Sequence, residues 1–104
     1  MGLDYDKLVR DRIPEIIESS GKRAVTRVAE DAEYLSYLHR KLFEEVDEYI
    51  ASGDVEELAD ILEVISALGR QGGVPLSRLM EIADDKRQAR GGFDGRVLLI
   101  RVED

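Results

Sequence analysis

Four acidic residues, Glu45, Glu48, Glu57 and Asp60, stand on or beside the apolar faces of two helical patterns. Each residue of an α-helix advances the side-chain direction by about 100°. On the pattern from Asp31 to Ala51, Leu35, Leu38, Leu42, Val46 and Tyr49 share one side. Glu45 projects into that arc, between Leu38 and Tyr34, and Glu48 falls at its edge. Ser36, Arg40 and Asp47 lie opposite, where solvated residues belong. On the pattern from Val55 to Arg70, Leu58, Ile61, Leu62, Val64, Ile65 and Leu68 form a wide apolar arc. Glu57 projects between Val64 and Leu68, Asp60 flanks the arc, and Glu56 and Glu63 point away. Both acid pairs have i, i+3 spacing, which puts the two carboxylates of a pair on one helix face. Unpaired carboxylates are costly to bury, and clustered ones repel. A divalent cation removes both penalties. Mg²⁺ is hard, prefers oxygen ligands and leaves room for water and phosphate, and Mn²⁺ accepts the same donors. The competing reading is an ordinary solvated acidic face, with Lys41 close enough to Glu48 to pair with it at the surface.

The elements that must position these acids are helices. Pro14 sits near the first position of a short helix that stops near Gly21. The stretch from Ala24 to Ala29 is extended or loop. Gly53 suits the C-terminal cap of the first long helix and Asp54 the N-cap of the second, with Glu57 at capping-box spacing from Asp54. So tight a connection makes the two helices antiparallel neighbours. Gly72-Gly73 ends the second long helix. A third begins with Pro75 at its first position, carries Leu76, Leu79, Met80 and Ala83, and stops at Gly91-Gly92. The tail from Arg96 to Val102 contains Val97-Leu98-Leu99-Ile100, a short strand or an apolar arm. The expected architecture is therefore an all-α antiparallel helical bundle with a short C-terminal extended segment.

The bulk numbers bound the possibilities. At 104 residues the chain is expected to form a single domain, residues 1–104, with a modest core that partners help to complete. Lys plus Arg is 15 against 23 Asp plus Glu, for a formal net charge of −8. Such a surface disfavours nucleic-acid polymers and anionic membranes as partners. Cysteine is absent, which rules out a disulfide framework, a thiol nucleophile and a thiolate metal site. The opening residues lack the apolar core of a signal peptide and no apolar run is long enough to span a bilayer, so a cytoplasmic location is expected.

Glu44-Glu45-Val46-Asp47-Glu48 followed by Glu57-Leu58-Ala59-Asp60 resembles the EExxE…ExxD signature of MazG-like all-α nucleoside triphosphate pyrophosphohydrolases. That superfamily includes phosphoribosyl-ATP pyrophosphohydrolase. The opening Tyr5-Asp6-Lys7-Leu8-Val9-Arg10-Asp11-Arg12-Ile13-Pro14 and the late Lys86-Arg87-Gln88-Ala89-Arg90-Gly91-Gly92-Phe93 look like a compact branch of it. The resemblance implies Mg²⁺-dependent cleavage of the α–β phosphate bond, giving a nucleoside monophosphate and pyrophosphate, by a homodimer or homotetramer. By motif position it makes Glu45, Glu48, Glu57 and Asp60 the metal ligands. Glu44 becomes the candidate for positioning or deprotonating the attacking water. Lys86, Arg87 and Arg90 could contact the outer phosphates, or serve only as cations at a helix C-terminus. The gap between Glu48 and Glu57 leaves no room for an inserted substrate loop. His39 projects off the apolar stripe as a surface residue, and Gly91-Gly92 is read as a helix stop. Lys7, Arg10 and Arg12 either reach substrate or a partner subunit, or are simply solvated. Two rivals stay open: phosphoribosyl-ATP as the substrate, and a non-catalytic acidic helical module that only dimerises or binds a protein.

Overall fold

A computed structural model describes residues 6–104. Among these residues the regular structure is entirely helical: α1 (Ile13–Ser19), α2 (Asp31–Ser52), α3 (Val55–Gln71) and α4 (Leu76–Arg90). Of the opening segment from Tyr5 to Pro14, Tyr5 lies outside the described residues.

The start of α2 is fixed by a device that the helical period does not mark. Glu30 is the N-cap, and the Glu33 carboxylate reaches back to accept its backbone N–H at 3.1 Å in a capping box. Arg27 grips the same carboxylate through both guanidinium nitrogens. These donors pull the Glu33 carboxyl down to about 2.

Helix α2 ends as expected. Gly53 takes the left-handed conformation, φ 67°, and its N–H bonds the Tyr49 carbonyl at 2.7 Å. Asp54 then opens α3, so the two long helices lie antiparallel and make the main packing contact of the chain. The Asp54–Glu57 capping box does not form. Asp54 makes no side-chain cap, and its N–H is instead taken by Ser52 Oγ at 3.1 Å. Glu57 is unavailable because its carboxylate belongs to the acid cluster described below.

Helix α4 folds back on α3 and does not touch α2. The approach is close at Gly69. A Cβ there would lie 2.6 Å from the Val74 carbonyl oxygen and 2.8 Å from Leu79 Cδ1. Pro75 is the N-cap of α4 rather than its first residue, a one-residue difference of the usual size at helix ends.

Leu38 and Val64 are the buried apolar residues among those described, and they face each other's helices from α2 and α3. Glu45 and Ser66 are buried with them. Ser66 is satisfied by Arg70, whose guanidinium donates to Ser66 Oγ at 2.7 Å. The rest of the α3 arc is only partly covered, with Leu58, Leu62 and Ile65 all still open to solvent. The tail forms no strand. Residues 96–102 are an apolar arm, and Val97, Leu98, Leu99 and Ile100 are each about four-fifths exposed. A strand needs a neighbour for its backbone hydrogen bonds, and none of the described residues supplies one. No described helix is long and apolar enough to cross a membrane.

Candidate metal centre

Helix packing brings the acids of α2 and α3 together near the turn that joins them. Carboxylate oxygens of Glu44, Glu45 and Glu48 lie within 4.8 Å of one another. So do those of Glu45, Glu57 and Asp60, and Glu45 is common to both groups. The five residues therefore form one continuous patch. Its floor is Glu45, 6% exposed, and its rim is Glu48, which is open to solvent. Glu44, Glu57 and Asp60 are half-buried between them. Glu56 and Glu63 face solvent, as their helical projection requires.

The electrostatics are those of an acid cluster short of cations. Burial pushes the Glu45 carboxyl up; Glu48 and Asp60 add to the rise, and Lys41 opposes it. Glu57 is also pushed up, first by burial of its carboxylate and then by Glu48 and Asp60. Two oxygens, Glu45 Oε2 and Glu57 Oε2, are buried without a hydrogen-bond partner. An orphaned buried acceptor costs about 1–3 kcal/mol, and more when it is charged. One orphan on each helix, both within the same patch, is the arrangement a shared oxygen-seeking cation would relieve. The donor set is all carboxylate, which suits a hard divalent ion and not a soft one.

Three basic residues partly neutralise the patch. Lys41 Nζ lies 3.2 Å from both Glu44 Oε1 and Glu45 Oε1. The surface pair of Lys41 with Glu48 expected from the helical projection is therefore not what forms. Glu44 and Glu45 are three and four residues away, on the adjacent turn, and Lys41 is itself mostly buried, so its ammonium takes the nearest acids. Lys7 Nζ approaches Glu44 Oε1 at 3.7 Å, and Arg10 donates to Asp60 Oδ1 at 2.7 Å.

Lys7 and Arg10, whose roles the sequence leaves open, both reach the patch. They come from an irregular segment, where no helical period marks a buried face. The available signal was the dipeptide between them: Leu8 and Val9 are half-buried and hold the segment against the helices. Arg12, by contrast, turns away to pair with Glu15.

Lys86, Arg87 and Arg90 are exposed on the last turns of α4. No hydrogen bond or ion pair among the described residues joins them to the acid patch, and α4 makes no contact with α2. Arg87 lines a shallow pocket with Met80, Ala83 and Asp84. His39 is exposed, as its projection required.

No protein-family model matches this chain, and no solved structure matches it. An uncharacterized protein of Mycolicibacterium smegmatis is 52% identical over 46 residues. The matched stretch is 44% of this chain and 47% of that protein, so the chain spans about half the length of the curated relative it matches.

Proposed function

We propose that this chain is a Mg²⁺-dependent nucleotide pyrophosphohydrolase. In this reading it cleaves the α–β phosphate bond of a nucleoside triphosphate in the cytoplasm and releases the monophosphate and pyrophosphate. The observation that supports it most is the pair of orphaned oxygens, Glu45 Oε2 and Glu57 Oε2, inside one patch of five carboxylates. The resemblance of the Glu44–Glu48 and Glu57–Asp60 segments to the MazG-like signature supplies the reaction.

Glu45 and Glu57 would hold the cation from the floor of the patch, with Glu48 and Asp60 closing the ligand set. Bound there, Mg²⁺ (or Mn²⁺) supplies Lewis-acid polarisation of the phosphoryl group and offsets charge on substrate and protein. Phosphoryl transfer then needs positioning and electrostatics rather than a nucleophilic side chain. Glu44 would orient the attacking water and accept its proton. Its carboxylate is about one-third exposed, so water can reach it, but Lys41 and Lys7 now compete for Oε1. Proton transfer to Glu44 requires a lone pair that these ammonium groups leave free.

The chain is also proposed to work as a homodimer or homotetramer. Leu58, Leu62, Ile65 and the apolar arm all remain exposed, and an apolar surface of this kind marks an association site. Within one chain Lys86, Arg87 and Arg90 make no bond to the acid patch. Assembly is the route by which they would meet the outer phosphates of a substrate bound to another copy. Light scattering should report at least a dimer at micromolar concentration; a stable monomer would remove this part of the proposal.

One observation favours a second reading. Lys41, Lys7 and Arg10 already pair with Glu44, Glu45 and Asp60, as they would in a non-catalytic acidic module. Pyrophosphate release from a panel of nucleotides, phosphoribosyl-ATP included, with and without Mg²⁺, separates these readings. Metal-dependent release from any triphosphate supports the hydrolase. Release from phosphoribosyl-ATP alone moves the substrate, and no release from any nucleotide leaves the module.

A further inference from the structure

We propose that Arg10 is a phosphate-binding residue of this site, held on Asp60 until a polyphosphate substrate takes it over. The inference rests on the metal-centre reading above and adds a residue to it that the acidic signature does not contain. Lys7 and Arg10 stand at opposite ends of the acid patch, on Glu44 and Asp60 respectively. Three residues of extended chain reach about 10 Å, so a single short strap spans the cluster. Leu8 and Val9 fix that strap by partial burial, whereas the Arg10 side chain stays 56% exposed, with its bond to Asp60 open to an incoming anion. Acidic groups favour the charged form of Arg10, Asp60 first and then Glu63 and Glu45.

The planar guanidinium matches carboxylate and phosphate equally well, in the same forked geometry. In the free protein Asp60 Oδ1 is its acceptor. Asp60 is also one of the acids that would take a divalent cation, and one carboxylate cannot serve both fully. Metal alone therefore competes with Arg10 and leaves two cations side by side at the patch. A phosphate chain that bridges them relieves that repulsion and gives Arg10 a new acceptor. Arg10 should oppose binding of the metal alone and favour binding of metal together with polyphosphate. The ligand class this fits is a phosphate ester or polyphosphate, whose neighbouring oxygens can bridge the strap cation and a metal that share one carboxylate.

The test uses the whole chain, Mn²⁺ and inorganic tripolyphosphate, followed by titration calorimetry and by the Mn²⁺ spin-resonance signal. Arg10→Ala should bind Mn²⁺ alone as tightly as wild type or a few-fold tighter. Its affinity for tripolyphosphate in the presence of Mn²⁺ should fall about tenfold or more. Arg10→Lys should lie between, because it keeps the charge and loses the fork. Arg12→Ala, on a residue that pairs with Glu15 instead, should match wild type in both titrations. Circular dichroism on each variant checks folding, and Arg10→Lys decides the matter if Arg10→Ala does not fold. Tripolyphosphate affinity unchanged in both Arg10 variants overturns the proposal while leaving the metal centre intact. Equal loss of Mn²⁺ and of tripolyphosphate also overturns it, since Arg10 would then be merely structural. A wild-type chain that holds neither probe overturns the metal-centre reading and this proposal with it.

Discussion

Between Asp31 and Gln71 the chain closes a small interior, whereas beyond Leu76 no side chain is fully buried and most apolar ones face solvent. Helices α2 and α3 share one tight turn, enclose Leu38 and Val64, and tolerate Glu45 in the same interior. Helix α4 touches only α3, Met80 is 63% exposed, and the arm that follows is barer still. Helix α4 is the more polar element, but composition does not explain the arm: Val97-Leu98-Leu99-Ile100 is as apolar a run as any in α3. There the difference is connectivity. A two-residue link makes α2 and α3 neighbours at little loop entropy, while the arm has no such neighbour within its reach. The part with the closed interior carries the acids, and exposed apolar surface remains on both parts, at Leu58, Leu62 and Ile65 of α3 and along the arm.

The sharpest way to break this contrast is a matched pair of truncations. Leu38→Ala removes a side chain that is 2% exposed and should cost about 2–5 kcal/mol of stability by denaturant unfolding. Leu99→Ala removes one that is 79% exposed and should stay within about 0.5 kcal/mol for the isolated chain. Equal losses would mean that the arm is covered as thoroughly as the α2–α3 interior, and a concentration-dependent loss for Leu99→Ala would locate that cover in an assembly.

A second pair probes the acid patch itself. Asp60→Asn keeps the side-chain shape and removes one charge. It should abolish most of the proposed activity and reduce Mg²⁺ affinity by roughly tenfold to a hundredfold. Most of the metal-induced rise in melting temperature should go with it. Without metal the variant should be as stable as wild type or slightly more so. The ion pair lost with Arg10 is solvent-exposed and worth little, whereas repulsion among the acids is relieved. Asp47→Asn, on the exposed side of α2 away from the patch, is the control and should alter neither response. Wild-type metal response in Asp60→Asn would leave the non-catalytic module as the better reading.

How much of this was legible in the sequence differs between the same two regions. In α2 and α3 a helical period constrains every residue, so the intrusion of Glu45 and Glu57 could be read directly and the turn at Gly53 could be placed. The errors there are competitions between nearby partners. Glu57 fits a capping box by spacing but is drawn into the patch, and Lys41 can reach several acids but takes those one turn away. Outside the long helices the period disappears. Lys7 and Arg10 lie in an irregular strap, and nothing in their spacing fixes Glu44 and Asp60 as partners. The tail has the composition of a strand, yet strand formation depends on a partner edge that composition cannot specify. The wide apolar arc of α3 was visible as well, but how much of it one chain could cover was not.

The smallest expected effect is a pH response that differs along a single helix. At the start of α2, Glu33 is held at about 2 by Arg27 and the Glu30 N–H, below its ordinary 4.5. The folded state therefore binds this proton more weakly than the unfolded chain. Glu33 contributes stability above about 4.5 that is lost as the pH falls towards 2. Near the end of α2 the sign reverses. Glu45 is pushed above 4.5 by burial, and Glu57 across the interface is pushed up for the same reason. Here the folded state holds the proton more tightly, so stability declines as the pH rises from about 4.5 through the raised values and stays lower beyond them. Melting temperatures of metal-free protein should therefore pass through a maximum in mildly acidic solution and fall on both sides. Glu45→Gln should flatten the fall on the neutral side and leave the acid side unchanged. Glu33→Gln should do the opposite. Saturating Mg²⁺ should also remove the neutral-side fall in wild type, because a cation that binds the ionised acids favours the form burial disfavours. A metal-free stability that rises steadily to neutral pH, unaltered by Glu45→Gln, would mean that the floor of the patch is not starved of cations and needs none.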